Sequence, residues 1–268
     1  MGRMVDAREL TDLAVEIARE AGALARRRRS EGVAIAATKS ALADIVTEAD
    51  REVELLIRDR IAQARPDDGF LGEESGAEHG ASGLTWVVDP IDGTVNYAYG
   101  IPHYAVSIAV VDGEPDPQQW EAVAAAVFSP AVDEMFRATA GEGAWLGDAR
   151  LAVSEPTDAG ALLATGFGYD PATHAGDLAR LGRIMPVARD IRRAGAASLD
   201  LAYVAAGRLD GYVERGLQPW DHAAGALLVA EAGGVVTGMP GERPGRTMTI
   251  AASPSLHSRL AERVFHES

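Results

Sequence analysis

The stretch WVVDPIDGTVNY, residues 86–97, constrains the fold of this chain more than any other. Trp86, Val87 and Val88 form an apolar run of strand type, and the run ends at Asp89. A buried strand rarely ends in two acids without a partner for them, because an unpaired carboxylate is costly to bury. The segment is therefore predicted to be the end of a core strand and also part of a functional site.

The spacing of the two acids indicates what kind of site this is. Side chains two residues apart project together from an extended chain, whereas Asp89 and Asp92 are three apart and need a turn between them. Pro90 fixes φ and favours such a turn. Both carboxylates could then converge on one cation, with the carbonyl of Ile91 between them, and Mg²⁺ prefers oxygen ligands of this sort. The spacing favours a metal cradle over an aspartyl nucleophile.

Other polar groups could complete the site. Gly93 and Thr94 present backbone N–H groups near a possible helix start, which suits a phosphate oxygen. Acids near helix starts are usually caps and loop glutamates are usually solvated, so none of the others is a strong candidate alone. These further acids are Asp50, Glu73, Glu74, Glu214 and Asp221.

The composition narrows the possible functions. Against 25 Lys and Arg stand 40 Asp and Glu, a net charge of −15, which disfavours binding to nucleic acid or to an anionic membrane. The chain has no cysteine, which excludes disulfides, thiolate nucleophiles and zinc–sulfur sites. With no apolar run of membrane length and no signal-peptide pattern, we expect a cytoplasmic protein. An anionic substrate remains possible where metal ions supply positive charge.

The hydrophobic pattern predicts a mixed α/β architecture, with helices layered on more than one sheet. A first helix carries Leu10, Leu13 and Ile17 on one face, and a second runs from Thr47 to about Ala64. Residues 105–153 resemble an antiparallel meander. After residue 155 strands and helices alternate, with strands predicted at Leu162–Thr165, Tyr212–Glu214 and Val235–Thr237 and helices at about 172–186, 197–206, 221–232 and 254–265.

Three motifs together resemble the inositol monophosphatase family of magnesium-dependent, lithium-sensitive phosphomonoesterases. They are GEES at 72–75, WVVDPIDGTVNY at 86–97 and WDHAAG at 220–225, in this order and at these separations. The resemblance extends from the first helix to about Gly238. It implies an α+β fold of the layered αβαβα sandwich type, as one domain over 1–268 with subdomains of about 1–155 and 156–268. It also implies a homodimer and a small phosphorylated polyol as substrate.

The resemblance further implies two Mg²⁺ ions, with a third, weaker ion reached through water from Glu73. By the same resemblance, one ion is held by Glu73, Asp89 and the Ile91 carbonyl, and the second by Asp89, Asp92 and Asp221. The catalytic residues implied are Asp50, Thr94 and Glu73, with Thr94 and Asp50 orienting and deprotonating the attacking water.

The substrate contacts implied by the resemblance are of two kinds. Gly93 and Thr94 would contact the phosphate through their backbone. The polyol site would be lined by Asp92, Ala197, Glu214 and Asp221, and Lys39 matches a loop that approaches the site in relatives.

The chain departs from the family pattern on the sugar-facing side. Ala196 stands where many relatives carry Ser or Thr, and Gln218 and Pro219 occupy a variable pair. The substrate therefore stays open between inositol 1-phosphate and the sister substrates histidinol phosphate, fructose 1,6-bisphosphate and a 3′-phosphonucleotide. Val95 and the segments GFGY and VAAGRLD favour the inositol branch by resemblance. A regulatory or scaffolding protein that does not rely on catalysis is the alternative from another class.

Overall fold

The computed structural model describes residues 6–32, 35–38, 45–168 and 170–265, so Lys39 and Tyr169 of the motifs above lie outside the described residues. The helices are α1 (Ala7–Glu31), α2 (Glu48–Ala64), α3 (Thr94–Tyr99), α4 (His174–Ile184), α5 (Ala197–Ala205), α6 (Pro219–Glu231) and α7 (Pro254–Phe265). The first strands are β1 (Ile35–Thr38), β2 (Ile45–Thr47), β3 (Gly69–Gly72), β4 (Gly76–Glu78), β5 (Leu84–Asp92), β6 (Ala105–Asp112), β7 (Glu121–Ser129) and β8 (Glu134–Thr139). The later strands are β9 (Gly143–Leu146), β10 (Ala149–Arg150), β11 (Ala161–Thr165), β12 (Ala188–Arg192), β13 (Gly211–Glu214), β14 (Val235–Thr237) and β15 (Thr249–Ala252).

Local sequence signals account for where the helices begin. The side chain of Thr47 caps α2, and Thr47 and Asp50 form a reciprocal capping box that satisfies backbone N–H groups at the helix start. Pro219 occupies the first turn of α6, where its missing N–H costs nothing. The predicted helices are confirmed, with α4 bounded by short 3₁₀ turns at Pro171–Thr173 and Met185–Val187.

Two mixed sheets are formed by the described strands. The larger has the order β10-β9-β8-β7-β6-β5-β3-β4, and the run from β6 to β10 is the antiparallel meander predicted from the sequence. Strand β3 joins β5 in parallel, which brings Gly72 opposite Val88. The smaller sheet has the order β12-β11-β13-β15-β14, and its last pairings are antiparallel. The sequence pattern did not predict β15 or β12.

Alternation of side chains along the strands divides the core into layers. On β6, Ile108 packs towards α1 and α2, whereas Ala109 packs towards α5 and α6. On β15, Ala251 faces α5 and α6, and Ile250 faces α4 and α7. The order is helices, large sheet, helices, small sheet, helices, so the predicted αβαβα sandwich is confirmed. No helix in the described ranges is long and apolar enough to cross a membrane.

One local expectation was wrong. The apolar run was expected to end as a strand at Asp89, but β5 continues to Asp92. Asp89 pairs with Ser107 and Asp92 with Ala105, so three steps on β5 match two on β6. The chain absorbs the extra residue in a register shift around Pro90, which has no N–H to give to the ladder. This bulge, rather than a free turn, sets the spacing of the two acids.

Candidate active site

The site lies where β5 ends and where several helices begin. Thr94 starts α3 directly after β5, Asp221 lies in the first turn of α6, and Asp50 lies in the first turn of α2. Glu73 follows β3, and its backbone N–H donates to the Val88 carbonyl on the neighbouring strand. Residues that are far apart in the sequence therefore meet at one end of the sheet.

A cavity opens at this meeting point, and we call it the carboxylate cavity. Four acids and the Ile91 backbone contribute to its wall, and among the described residues that line it none is basic. Its lining consists of Glu73, Asp89, Ile91, Asp92, Gly93, Thr94, Gly216, Gln218, Trp220 and Asp221.

Burial and mutual repulsion dominate the electrostatics of this cavity. Burial raises the pKa of Asp89 well above its usual value, and the charges of Glu73 and Asp92 raise it further. Burial likewise raises the pKa of Asp221, with Asp92 as the next cause. Each ionised carboxylate is disfavoured because the wall supplies no cation to pair with it. The cavity is therefore suited to an external cation.

The donor set fits a hard divalent cation such as Mg²⁺, because every candidate ligand is an oxygen. Within the described part of the chain, however, no three acidic or histidine side chains converge into a ready metal-binding group. Local donors hold the acids instead: the Gln218 N–H donates to Asp221 Oδ2 at 2.6 Å, and the Ile91 N–H donates to Asp89 Oδ1 at 3.1 Å. The fit thus rests on the chemistry of the donors and not on a closed coordination geometry.

Asp50 reaches the cavity through Thr94. The Thr94 hydroxyl lies 3.2 Å from Asp50 Oδ1 and 3.1 Å from the Ile91 carbonyl oxygen, and it can donate its proton to either. Asp50 Oδ2 accepts from the Thr47 N–H at 2.8 Å and from the Thr47 hydroxyl. One oxygen therefore caps α2 and the other contacts Thr94. Burial raises the pKa of Asp50 to about 6.

A second cavity shares Asp92, Gly93, Gly216 and Asp221 with the first, and we call it the adjoining cavity. All four predicted polyol contacts line it: Asp92, Glu214, Asp221, and Ala197 at the start of α5. Its other lining residues are Gly166, Phe167, Gly168, Arg193, Gly195, Ala196, Asp200, Arg215 and Leu217. Burial raises the pKa of Glu214 to about 7, and the hydroxyl of Tyr212 donates to its carboxylate.

Two glycines allow the close approaches in this region. Gly93 has φ of +89°, and a Cβ there would lie 3.0 Å from the His103 carbonyl oxygen. The Glu214 carboxylate occupies the space that a side chain at Gly166 would need. A Cβ there would lie 2.0 Å from Glu214 Oε2. The glycine of the GFGY segment is therefore explained by the position of a carboxylate 48 residues later.

The structure brings the predicted metal-ligand and substrate residues together, whereas Asp50 lines neither cavity and contacts the site through Thr94. Asp89, Asp92, Asp221, Glu73 and the Ile91 carbonyl share the carboxylate cavity, and the residues predicted for the substrate line one or both cavities. Glu74, an acid of the same motif as Glu73, lines neither cavity, and its N–H donates to Glu54 Oε2 at 2.8 Å.

Several residues that support the site were not identified from the sequence. Ser198 and Asp200 are buried in α5, and the amide of Asn96 donates at 2.8 Å to the carbonyls of both His103 and Ala194. Polar residues inside the otherwise apolar segment ASLDLAYVA were a signal that could have revealed the first two. The asparagine contacts depend on how α3 meets the backbone at His103 and Ala194, and no local pattern encodes that.

Comparison with known proteins identifies the family of the chain. The model of the inositol monophosphatase family matches residues 6–267. An inositol-1-monophosphatase of Rhizobium meliloti is 47% identical over 202 residues, which cover 74% of each chain. The protein named Nus factor SuhB of Escherichia coli K12 is 42% identical over 236 residues, covering 87% of this chain and 86% of that protein.

A solved structure matches nearly the whole chain. The extragenic suppressor protein suhB of Bartonella henselae superimposes with a TM-score of 0.87 at 37% identity, covering 97% of this chain and all of that one. Sequence and structure comparisons therefore lead to the same group of proteins.

Proposed function

The chain belongs to the inositol monophosphatase family, a family of phosphatases, and from this premise we propose that it hydrolyses inositol 1-phosphate or a similar polyol or sugar monophosphate with Mg²⁺ as cofactor. The observation that carries the proposal is the carboxylate cavity. Its acids have no basic partner in the described wall of that cavity, and it adjoins a second cavity whose lining adds Asp200 and Glu214 together with Arg193 and Arg215. A phosphate can be accommodated beside so many carboxylates only if cations neutralise them.

The residues that would hold the metal follow from the lining. Glu73, Asp89 and the Ile91 carbonyl would hold one ion, and Asp89, Asp92 and Asp221 a second; a third, weaker ion near Glu73 remains part of the proposal. When bound, Mg²⁺ supplies a Lewis acid that neutralises phosphate charge and lowers the pKa of a bound water. The bulge in β5 keeps Asp89 and Asp92 on the same cavity wall.

Thr94 and Asp50 would handle the proton of the attacking water. The Thr94 oxygen can accept that proton while its own proton passes to Asp50 Oδ1, 3.2 Å away. A pKa of about 6 keeps Asp50 largely ionised at neutral pH and still basic enough to accept a proton, as general base catalysis requires. Direct attack by water needs no covalent intermediate, which agrees with the absence of cysteine.

The substrate would span both cavities. The backbone of Gly93 and Thr94 would contact the phosphate, and the carboxylates of Asp92, Glu214 and Asp221 would accept hydrogen bonds from polyol hydroxyls. Ala197 would contribute a small buried surface at the start of α5. The homodimer and the cytoplasmic location stay predictions.

Phosphate release from a substrate panel tests the proposal. We expect inositol 1-phosphate to be hydrolysed faster than histidinol phosphate, fructose 1,6-bisphosphate and a 3′-phosphonucleotide, and only with Mg²⁺ present. The Asp92→Asn variant should keep its circular dichroism spectrum and lose activity by about two orders of magnitude or more, because a shared ligand loses its charge. Full activity in EDTA would contradict the metal assignment, and a faster sister substrate would move the chain to another branch.

The same assay addresses the non-catalytic alternative. The Escherichia coli relative bears the name Nus factor, so a regulatory role is a candidate for this chain as well. A folded protein that hydrolyses none of the panel with Mg²⁺ would favour that role over catalysis.

A further inference from the structure

Ser198 makes a contact that ordinary helix capping does not explain. It lies in the first turn of α5 and is fully buried. Its hydroxyl donates to Asp92 Oδ2 at 2.5 Å, and its backbone N–H donates to the same oxygen at 2.7 Å. The partner lies 106 residues earlier in the chain, at the end of β5.

The N-cap residue of α5 does not cap the helix with its side chain. Ala196 is the N-cap and has no side-chain acceptor for the first N–H groups of the helix. Asp92 supplies the missing acceptor, since the Ala197 N–H also donates to it, at Oδ1 and 3.2 Å. Asp92 therefore caps a helix from a distant strand while it lines both cavities.

The two oxygens of Asp92 are occupied unequally. An ionised carboxylate has about four lone-pair sites, two on each oxygen. The Ser198 N–H and hydroxyl fill both sites on Oδ2, whereas Oδ1 accepts one longer bond from the Ala197 N–H. Oδ1 is the oxygen with capacity left for a cation or a substrate hydroxyl.

We propose that the Ser198 hydroxyl is a positioning group that fixes the orientation of Asp92, so that Oδ1 is presented to the metal and the substrate. The inference rests on the proposed function, because it assumes that Asp92 is a metal ligand. Groups that orient a ligand from behind typically change metal affinity by about 10- to 100-fold when they are removed. A hydrogen bond to a charged group is also stronger than one between neutral groups, which keeps the carboxylate from rotating.

Isothermal titration of the EDTA-treated full chain with MgCl₂ tests this directly. We expect Ser198→Ala to weaken the Mg²⁺ Kd by about tenfold and Ser198→Thr, which keeps the hydroxyl, to restore it to within about twofold. Ser253→Ala is the matched control: Ser253 is equally buried, lies outside both cavities, and its hydroxyl has no partner in the described structure. Its Kd should equal that of the unmodified chain.

Kinetics provide a second measurement. The Mg²⁺ concentration for half-maximal phosphate release should rise by about tenfold in Ser198→Ala, while kcat at saturating Mg²⁺ changes much less. A hydroxyl that only supports the fold would lower the melting temperature in EDTA and leave both quantities unchanged. A Kd for Ser198→Ala within twofold of the unmodified chain would overturn the inference.

These measurements distinguish failure of the proposed function from failure of the inference on Ser198. An unmodified chain that neither binds Mg²⁺ nor releases phosphate would overturn the proposed function and this inference together. Binding and turnover that are equal in Ser198→Ala and the unmodified chain would overturn the inference alone. If Ser198→Ala does not fold, Ser198→Cys keeps a side chain with a weak donor, and its Kd must be weaker than that of the unmodified chain for the inference to stand.

Discussion

Individual carboxylates in this chain serve the fold and the site at the same time. One oxygen of Asp50 caps α2 and the other contacts Thr94, and Asp221 accepts the Gln218 N–H while it lines both cavities. Acids near helix starts commonly cap the helix. Asp50 and Asp221 accept such N–H groups here, and in addition Asp50 contacts Thr94 and Asp221 lines the cavities. The same hydrogen bonds that satisfy the backbone hold the carboxylates towards the cavities.

The Gly166→Ala substitution tests the close approach at Glu214. The added Cβ would lie 2.0 Å from Glu214 Oε2, so the carboxylate must shift from its position in the adjoining cavity. We expect KM to rise by about tenfold or more and stability to fall by about 1–3 kcal/mol, as in other overpacked sites. Gly182→Ala in α4 is the control, since nothing lies within 4 Å of its Cβ. Steady-state kinetics and thermal melting measure both effects, and an unchanged KM would contradict the assignment of Glu214 to the substrate.

The ionisation of Glu214 should appear in the pH profile. Burial raises its pKa to about 7, and the ionised carboxylate is the better acceptor for substrate hydroxyls. We therefore expect a component of kcat/KM that rises with pH through about 7 and is absent in Glu214→Gln. At pH 8.5 the variant should be lower by about tenfold, which corresponds to one hydrogen bond to a charged group. Tyr212→Phe removes a donor that lowers this pKa, so it should shift the component to higher pH. Identical profiles for all three proteins would exclude Glu214 from substrate binding.

At the scale of secondary structure, helix starts build the site. The first turns of α2, α3, α5 and α6 all contribute side chains or N–H groups around the end of β5. Helix N-termini stabilise negative charge, so their convergence offsets part of the repulsion among the acids. The bulge in β5 adds to this arrangement by keeping Asp89 and Asp92 on the same cavity wall.

Helix α6 also carries a group that should govern acid stability. His222 is fully buried, neither ring nitrogen has a partner in the described structure, and burial lowers its pKa from 6.5 to about 4. Between those values the unfolded chain binds the proton more strongly, so this contribution to stability is complete above pH 6.5 and is lost as the pH falls towards 4. The loss is on the order of a few kcal/mol.

Chemical denaturation in EDTA between pH 4 and 7 measures this loss. We expect the free energy of unfolding of His222→Leu, taken relative to that of the unmodified chain, to increase as the pH falls from 7 to 4, and His79→Gln, at an exposed site, to show no such relative change. Parallel curves for His222→Leu and the unmodified chain would show that His222 does not contribute to the pH dependence.

For the whole molecule, the layered sandwich brings negative charge to one place. The net charge is −15, and four acids meet in a cavity whose described wall has no basic side chain. Repulsion among them destabilises the folded chain more than the unfolded one, in which they are far apart. A divalent cation should relieve it.

Thermal melting should therefore depend on Mg²⁺. A ligand at about 100 times its Kd adds about 2.7 kcal/mol, which for a chain of this size corresponds to several degrees in Tm. Calorimetry with MgCl₂ or EDTA, and with NaCl at matched ionic strength as control, measures the shift. An equal Tm in MgCl₂ and EDTA would contradict the metal site.

Lithium provides a test of the family branch. Li⁺ resembles Mg²⁺ in size and in its preference for oxygen ligands, but carries half the charge. We expect inhibition that is uncompetitive with substrate and depends on Mg²⁺ concentration, whereas NaCl at equal ionic strength inhibits much less. Superimposable rate curves in LiCl and NaCl would remove the chain from the lithium-sensitive branch and leave its Mg²⁺ dependence unaffected.

The longer helices, the meander and the pair of Asp89 and Asp92 could be predicted from the sequence alone. These features are encoded locally: Thr47 is a helix-capping residue before α2, an apolar run marks β6, and Asp89, Pro90 and Asp92 occur within four residues. Local patterns are readable because caps, periodicity and φ restrictions act over a few residues. The motifs at 72–75 and 220–225 were connected with residues 86–97 only because their order and spacing resemble the family pattern.

The way in which distant groups combine depends on tertiary packing and could not be predicted. The pairing of Ser198 with Asp92 spans 106 residues, and the fit of Gly166 against Glu214 spans two elements of the small sheet. Both depend on how α5 and the two sheets pack, which is fixed by burial summed over the whole core and not by any short segment. The continuation of β5 past Pro90 has the same cause, because Asp92 is held in the ladder by its pairing with Ala105 on β6.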